Sequence, residues 1–244
     1  MNIGGIVKNS FVDYPEKIAC VIFTTGCNMN CWYCHNKHLL NGNPSKLDEN
    51  EILNFLQEHK TFLDAVVISG GEPTLQPDLQ DFIKKIKGMG YLIKLDTNGT
   101  NYTELKNLIE NNLIDYVAMD IKAPIDKYSL ITSCYDIQSI KRSILLLKQG
   151  KIKYEFRTTF SPDLTLDDFL SIAKELKGAE NYSIQQYKIP KYLESKGAKQ
   201  NNISNKNIEI DSDKLNLKPV DDSFLINAKH IAQSYIKNVI VKGL

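Results

Sequence analysis

The chain has 244 residues, enough for one sizeable core or a domain plus an extension. Thirty lysines and arginines face 29 aspartates and glutamates, and a net charge of +1 excludes the strong global field of a nucleic-acid or anionic-membrane binder. No run approaches the ~18 apolar residues of a membrane span, the first residues lack a secretion-signal pattern, and five cysteines are too few for a disulfide scaffold. A cytoplasmic protein with no nucleic-acid and no membrane partner is expected.

In chain order, Ala19–Thr24 reads as a strand and Glu49–His59 has helical spacing. Ala65–Ser69 is a strand running straight into Gly70-Gly71. Pro77–Met89 is helical, Tyr91–Asp96 a strand, Tyr102–Asn111 helical, and Tyr116–Ile121 a strand stopped by Pro124. Asp136–Gln149 is helical, Lys153–Phe160 a strand, Leu166–Leu176 a helix and Tyr182–Tyr187 a strand. The segment Lys188–Pro219 is rich in Asn, Lys and Ser and reads as a solvated loop or a partner-facing surface. Order returns with a helix over Asp222–Ile236, capped near Asp221 or Asp222, and VIVKGL adds a short strand.

The strand-like runs are short and almost wholly apolar, as in parallel strands covered on both faces. Six or so β–α units of this kind give an α/β fold, either barrel-like or an open sheet. Polar residues gather at the strands' C-terminal ends: Thr24-Thr25-Gly26, Ser69–Glu72, Asp96–Asn98, Asp120 with Lys122, Thr158-Thr159 and Gln185-Gln186. In α/β folds that edge binds ligands.

The first of these edges leads into TTGCNMNCWYCHN, where Cys27, Cys31 and Cys34 have the spacing C-x3-C-x2-C. Three thiolates on one loop can ligate three irons of a cubane and leave the fourth without a protein ligand. Structural zinc closed by His38 is one competing reading; His35, directly after Cys34, is awkward for the same tetrahedron. A four-cysteine electron carrier is another, although the remaining thiols, Cys20 and Cys134, lie far off in sequence. An open iron could take the amino and carboxylate groups of S-adenosylmethionine and set its sulfonium beside the cluster. Gly70-Gly71-Glu72-Pro73 suits this, since glycines allow close backbone approach and carbonyls with the Glu72 carboxylate could accept from an ammonium.

These motifs together resemble the radical S-adenosylmethionine superfamily. Within it, the chain is similar to the glycyl-radical-enzyme activating proteins, especially that of anaerobic ribonucleoside-triphosphate reductase. The resemblance spans roughly residues 3–190 and rests on GGIVKNSFVDYPEKIACVIFTTGCNMNCWYCHN, VVISGGEPTLQPDL, LDTNGT and VAMDIKAP. It implies a partial (β/α)6 TIM-like barrel over residues 1–190, with 191–244 as a C-terminal extension packed on that core and open to a partner. Cys27, Cys31 and Cys34 would hold one [4Fe–4S] cluster. Tyr33 would contact the adenine; Gly70, Gly71 and Glu72 the methionine amino group. Asp96, Thr97 and Asn98 would line the cofactor pocket. Asp120 and Lys122 would lie near the methionine carboxylate and ribose, and Arg157 would add a polar contact. Asp13-Tyr14-Pro15 matches a segment near the entrance, where a partner's glycine loop could be received. With no cysteine between Cys34 and Gly70, no ferredoxin-like insert is present there.

The implied chemistry is one-electron cleavage of S-adenosylmethionine to methionine and a 5′-deoxyadenosyl radical. That radical then takes the α-hydrogen of a glycine in a glycyl radical enzyme. Flavodoxin or ferredoxin would supply the electron, and no general base is needed. Alternatives are a pyruvate formate-lyase-type activating enzyme, a small-molecule radical enzyme such as a deazapurine synthase, and a non-catalytic iron–sulfur electron carrier. Elsewhere, Cys20 reads as a core residue, Cys134 as structural, His35 as a cluster neighbour or packing residue, Trp32 as cluster shielding or packing, and Lys84–Lys87 as a solvated helix face.

Overall fold

The computed structural model describes residues 1–40, 47–190 and 217–243. The chain divides into two compact units that interleave in sequence. The first contains residues 1–29, 36–121 and 134–156; the second contains 30–35, 122–133 and 157–244. Within the first unit the strands lie side by side in chain order.

The first unit is built on β1 (Ile3–Tyr14), β2 (Lys17–Thr24), β3 (Ala65–Gly70), β4 (Leu92–Thr97) and β5 (Tyr116–Asp120). β1 pairs antiparallel with β2, and β2, β3, β4 and β5 pair in parallel. Between the parallel strands run α1 (Glu49–Glu58), α2 (Leu79–Gly88) and α3 (Tyr102–Glu110); α5 (Ile137–Lys148) also belongs here. Each helix buries an apolar stripe at helical spacing, such as Leu79, Phe82, Ile83 and Ile86 of α2. The lysines of that helix point outward into ion pairs, Lys84 with Asp81 and Lys85 with Glu49, as a solvated face should.

Side chains alternate across the strands. One face of β2 and β3 carries Ala19, Val21, Ala65 and Val67, which pack with Tyr14 and with the partly buried Phe23, Leu92 and Tyr116. Tyr14 therefore sits at the strands' N-terminal ends, with its ring 5.9 Å from that of Tyr116. Burial, with the Asp115 charge adding to it, pushes its phenol up to about 12. This end is opposite the one from which β2 leads toward Cys27, and Tyr14 is a core residue there.

β1 has no counterpart in the apolar pattern. Val7, Phe11 and Val12 are exposed, and its register with β2 breaks at three points. It is held by backbone pairing more than by burial, and that leaves little periodic signal.

The second unit contains the loop 30–35, a short α4 (Tyr128–Thr132), the outer half of β6 (Lys153–Phe160), α6 (Leu166–Glu175) and β7 (Asn181–Gln186). The tail adds α7 (Asp222–Gln233) and β8 (Asn238–Lys242), the latter pairing in parallel with β7. Phe160 stacks on Phe169 of α6 at 4.3 Å and meets Phe224 of α7 edge-on at 6.4 Å. A capping box of Thr165 and Asp168 starts α6, and Lys127 pairs with Asp168 at 2.9 Å. Most of the Lys188–Pro219 segment, residues 191–216, lies outside the described residues.

Candidate functional site

β2 and β3 end side by side, with Thr24 opposite Gly70. Gly71 donates to the Thr24 carbonyl at 2.9 Å and Glu72 to the Gly26 carbonyl at 2.8 Å. A Cβ on Gly71 would collide with the Gly26 carbonyl oxygen, and one on Gly70, whose φ is +113°, would collide with the Thr24 backbone. The two glycines thus let the turn press against the start of the cysteine loop. Asn36 donates to the Gly70 carbonyl at 3.1 Å, and Gln76 to the Thr25 carbonyl at 2.8 Å, so the same loop is pinned at further points.

Glu72 is fully buried. Its Oε1 accepts from the Thr74 amide (3.2 Å), the Thr74 hydroxyl (2.6 Å) and the Thr97 hydroxyl (2.7 Å). Its Oε2 accepts from the Asn98 amide at 2.7 Å. Burial raises its pKa from the usual carboxylate value, and these four donors oppose that rise. Both oxygens are thus engaged by the protein, and Glu72 joins the Gly70–Pro73 turn to the Asp96–Asn98 strand end. Thr97 is turned the same way, because its hydroxyl is committed to Glu72 and accepts from the Gly99 amide at 3.1 Å.

Asp96 faces another set of partners. Lys94 reaches it at 2.9 Å and Ser69 at 3.1 Å. The Lys94 side chain is only 2 % exposed and rises from the level of Val67, beside the apolar layer. The Asn98 side chain reaches 3.8 Å from the Cys27 sulfur and 2.9 Å from Asn28 Oδ1. Cys27 also accepts from the Met29 amide at 3.4 Å. Asp120 ends β5 and is half-buried.

In the second unit, Cys31 is buried and Cys34 half-buried, and the Cys34 amide donates to the Cys31 carbonyl at 3.2 Å. The loop is tied by Asn30, which donates to the Thr132 carbonyl at 2.8 Å. Trp32 packs edge-on against Tyr33 at 5.6 Å and lies 5.7 Å from the Tyr187 ring. Burial lowers the His35 pKa, which a hydrogen bond with the Lys188 backbone partly offsets. The Lys122 amide donates to the Tyr128 hydroxyl at 3.2 Å, and Arg157 is half-buried on β6.

None of the five cysteines is in a disulfide. Burial pushes Cys20 up to about 12 and raises Cys134 as well, so neither is a ready thiolate. Among the described residues, no three Cys, His, Asp or Glu side chains converge on a single-ion site. Sequence reasoning had no place for Lys94, Thr74, Asn28 or Thr100. The available signal was Lys94 itself, a charge inside an apolar strand two residues before a strand-end aspartate.

The Radical SAM superfamily model matches residues 21–176, which include all three loop cysteines. The chain belongs to the radical SAM superfamily. Two proteins of Methanocaldococcus jannaschii, both provisionally named glycyl-radical enzyme activating enzymes, are similar over nearly the whole length. MJ1227 is 38 % identical, covering 99 % of this chain and 96 % of that one; MJ1632 is 31 % identical, covering 97 % and 84 %. Among solved structures, Streptococcus suis SuiB bound to S-adenosylmethionine superposes with a TM-score of 0.65 at 13 % identity, over 91 % of this chain and 50 % of that one. The fold is the radical SAM partial barrel, a mixed sheet with flanking helices. This radical SAM oxidoreductase is related to the glycyl-radical-enzyme activating enzymes.

The residues present fit an iron–sulfur cluster. Three thiols outside any disulfide, on one loop, are soft donors of the kind that iron–sulfur clusters use. Cys27 already receives amide donors of the kind that stabilise a thiolate.

Proposed function

We propose that this protein is an activase which generates a glycyl radical on a partner enzyme, with anaerobic ribonucleoside-triphosphate reductase as the first candidate. End-to-end similarity to MJ1227 carries the reading, because it extends through the tail as well as the motifs. The opening segment through Asn36 supports the choice of reductase over a formate-lyase-type partner, as the most specific part of the resemblance.

Cys27, Cys31 and Cys34 would hold the cluster. Bound cluster and S-adenosylmethionine supply the radical chemistry: one electron enters, methionine and 5′-deoxyadenosine leave, and a partner glycine loses its α-hydrogen. The chain's own work is to bind and orient. The Gly70 and Gly71 backbone, pressed against the cysteine loop, would receive the cofactor's amino group, with Asp96 as the fixed anion nearby. Asp120, Lys122 and Arg157 would meet the carboxylate and ribose, and Tyr33 the adenine. Glu72, Thr97 and Asn98 would act by holding this edge in shape, since their polar atoms already bond to the protein. A flavodoxin or ferredoxin in the cytoplasm would supply the electron, and residues 191–244 would form an extension packed on the 1–190 core and facing the partner.

The test uses anaerobically reconstituted, reduced protein with S-adenosylmethionine and a candidate reductase. Electron paramagnetic resonance is recorded while 5′-deoxyadenosine is counted. A glycine-centred doublet that disappears with Cys27→Ser, Cys31→Ser or Cys34→Ser is the expected result. Cofactor cleavage without a doublet would reject this partner; an intact, reducible cluster without cleavage would sink the activase reading.

A further inference from the structure

We propose that Asn98 is a hydrogen-bond donor to the Cys27 thiolate and raises the reduction potential of the cluster that Cys27 ligates. This rests on the reading of Cys27 as a cluster ligand and on nothing about the partner enzyme.

The direction of the Asn98 amide follows from its neighbours. Oxygen and nitrogen of an asparagine side chain are told apart by their partners. Asn98 Oδ1 lies 3.0 Å from the Thr100 amide, which can only donate. The NH2 group must therefore face the other way, toward Asn28 Oδ1 at 2.9 Å and Cys27 Sγ at 3.8 Å. The remaining contacts agree. The Thr100 hydroxyl donates to Asn98 Oδ1 at 2.6 Å and accepts from Asn28 Nδ2 at 2.8 Å. Asn98, Thr100 and Asn28 form a closed ring with one sense of donation, and the Asn98 hydrogen left over points at sulfur.

Two of the ring's three members lie inside the protein, and the third, Asn28, is at the surface. Asn98 and Thr100 are buried, and the Asn98 backbone amide is held at 2.7 Å by the fully buried Glu72. A donor in such surroundings keeps more of its strength than one in water. Hydrogen bonds to cluster sulfurs set the potential by stabilising the more negative, reduced state. A further donor to Cys27, the Met29 amide, belongs to the backbone and would be supplied by any residue there but proline. Asn98 is a side-chain donor, which sequence can change. Aspartate would keep the acceptor for Thr100 but offer no hydrogen and add a charge facing the thiolate.

The experiment is a redox titration of the reconstituted full-length protein without S-adenosylmethionine, with the reduced fraction read by electron paramagnetic resonance. Wild type, Asn98→Ala and Asn98→Asp are compared at matched iron and sulfide content. At one fixed potential, the ratio of reduced to oxidised cluster should fall at least threefold in Asn98→Ala and further in Asn98→Asp. Equal midpoints in all three proteins would overturn the proposal. Should neither variant load a cluster, the wild-type protein with 15N-labelled asparagine decides. A 15N coupling in the spectrum of its reduced cluster supports the contact, and no coupling overturns it. If wild type itself takes up no cluster, the ligand reading fails and the proposal falls with it.

Discussion

The polar groups around Glu72 and those along β7 are equally buried but differently served. Glu72, Thr74, Thr97, Asn98 and Thr100 form a network in which each buried oxygen has a protein partner. Along β7 and just past β6, the hydroxyls of Ser183, Tyr187 and Ser161 are buried with no hydrogen-bonding partner among the described residues. The first region is complete as folded, so it can hold the cysteine loop and the strand ends in a fixed relation. The second gains nothing from its hydroxyls by way of stability, because an unserved buried polar group costs about 1–3 kcal/mol.

Substitution should separate the two regions, and the largest effect belongs to the charges. Lys94→Met removes the buried ammonium that stands 2.9 Å from the Asp96 carboxylate, and breaking such a pair costs about 3–5 kcal/mol. Urea unfolding of the apo-protein should record that loss, and the double variant Lys94→Met/Asp96→Asn should recover much of it. A loss that the second change leaves untouched would mean that the pair is not the unit. Next comes Glu72→Gln, which turns an NH2 toward donors that expect an acceptor. It should cost about 2–3 kcal/mol in the same measurement and raise the amide exchange rate of Asn98.

Asp168 offers a smaller test with a defined sign. Burial pushes its pKa up, but the Lys127 ammonium and Thr165 outweigh this and hold it below the ordinary 3.8. A depressed carboxyl stabilises the fold above its unfolded-state value and loses that contribution as pH falls through the folded value. Wild type should therefore lose more stability than Asp168→Asn below about pH 3.8, by about 1 kcal/mol given the partly exposed lysine. Smallest of all, Ser183→Ala should be neutral or stabilising by up to about 1 kcal/mol. A clear destabilisation there would erase the contrast between the two regions.

Much of this was legible in the sequence. Apolar runs such as Ala65–Gly70 are buried on both faces and announce themselves. So do the cysteine spacing and the polar strand ends. β1 was not legible, because an edge strand with exposed Val7, Phe11 and Val12 carries no alternation to read. Nor was the direction of Glu72. The reading from sequence aims its carboxylate at a ligand's ammonium, but Gly70 at φ +113° turns the chain so that the side chain enters the interior instead. A glycine's sign of φ is settled by tertiary contacts, and no pattern of neighbours records it. Lys94 was visible but uninterpretable until the strand's register placed it beside Val67.

The bonds from Gly71 to Thr24 and from Glu72 to Gly26 join points that are far apart along the chain. Contacts of that separation form only after the ends of the intervening loop have been brought together, and here β2 and β3 must pair first. The route of the chain into Cys27 is accordingly fixed only once β2 and β3 lie side by side. Metal that arrives earlier meets loose thiols on a flexible segment; metal that arrives later meets a first ligand already oriented. Order of assembly, and with it the choice between a correct cluster and a scavenged ion, is in this way written into two glycines.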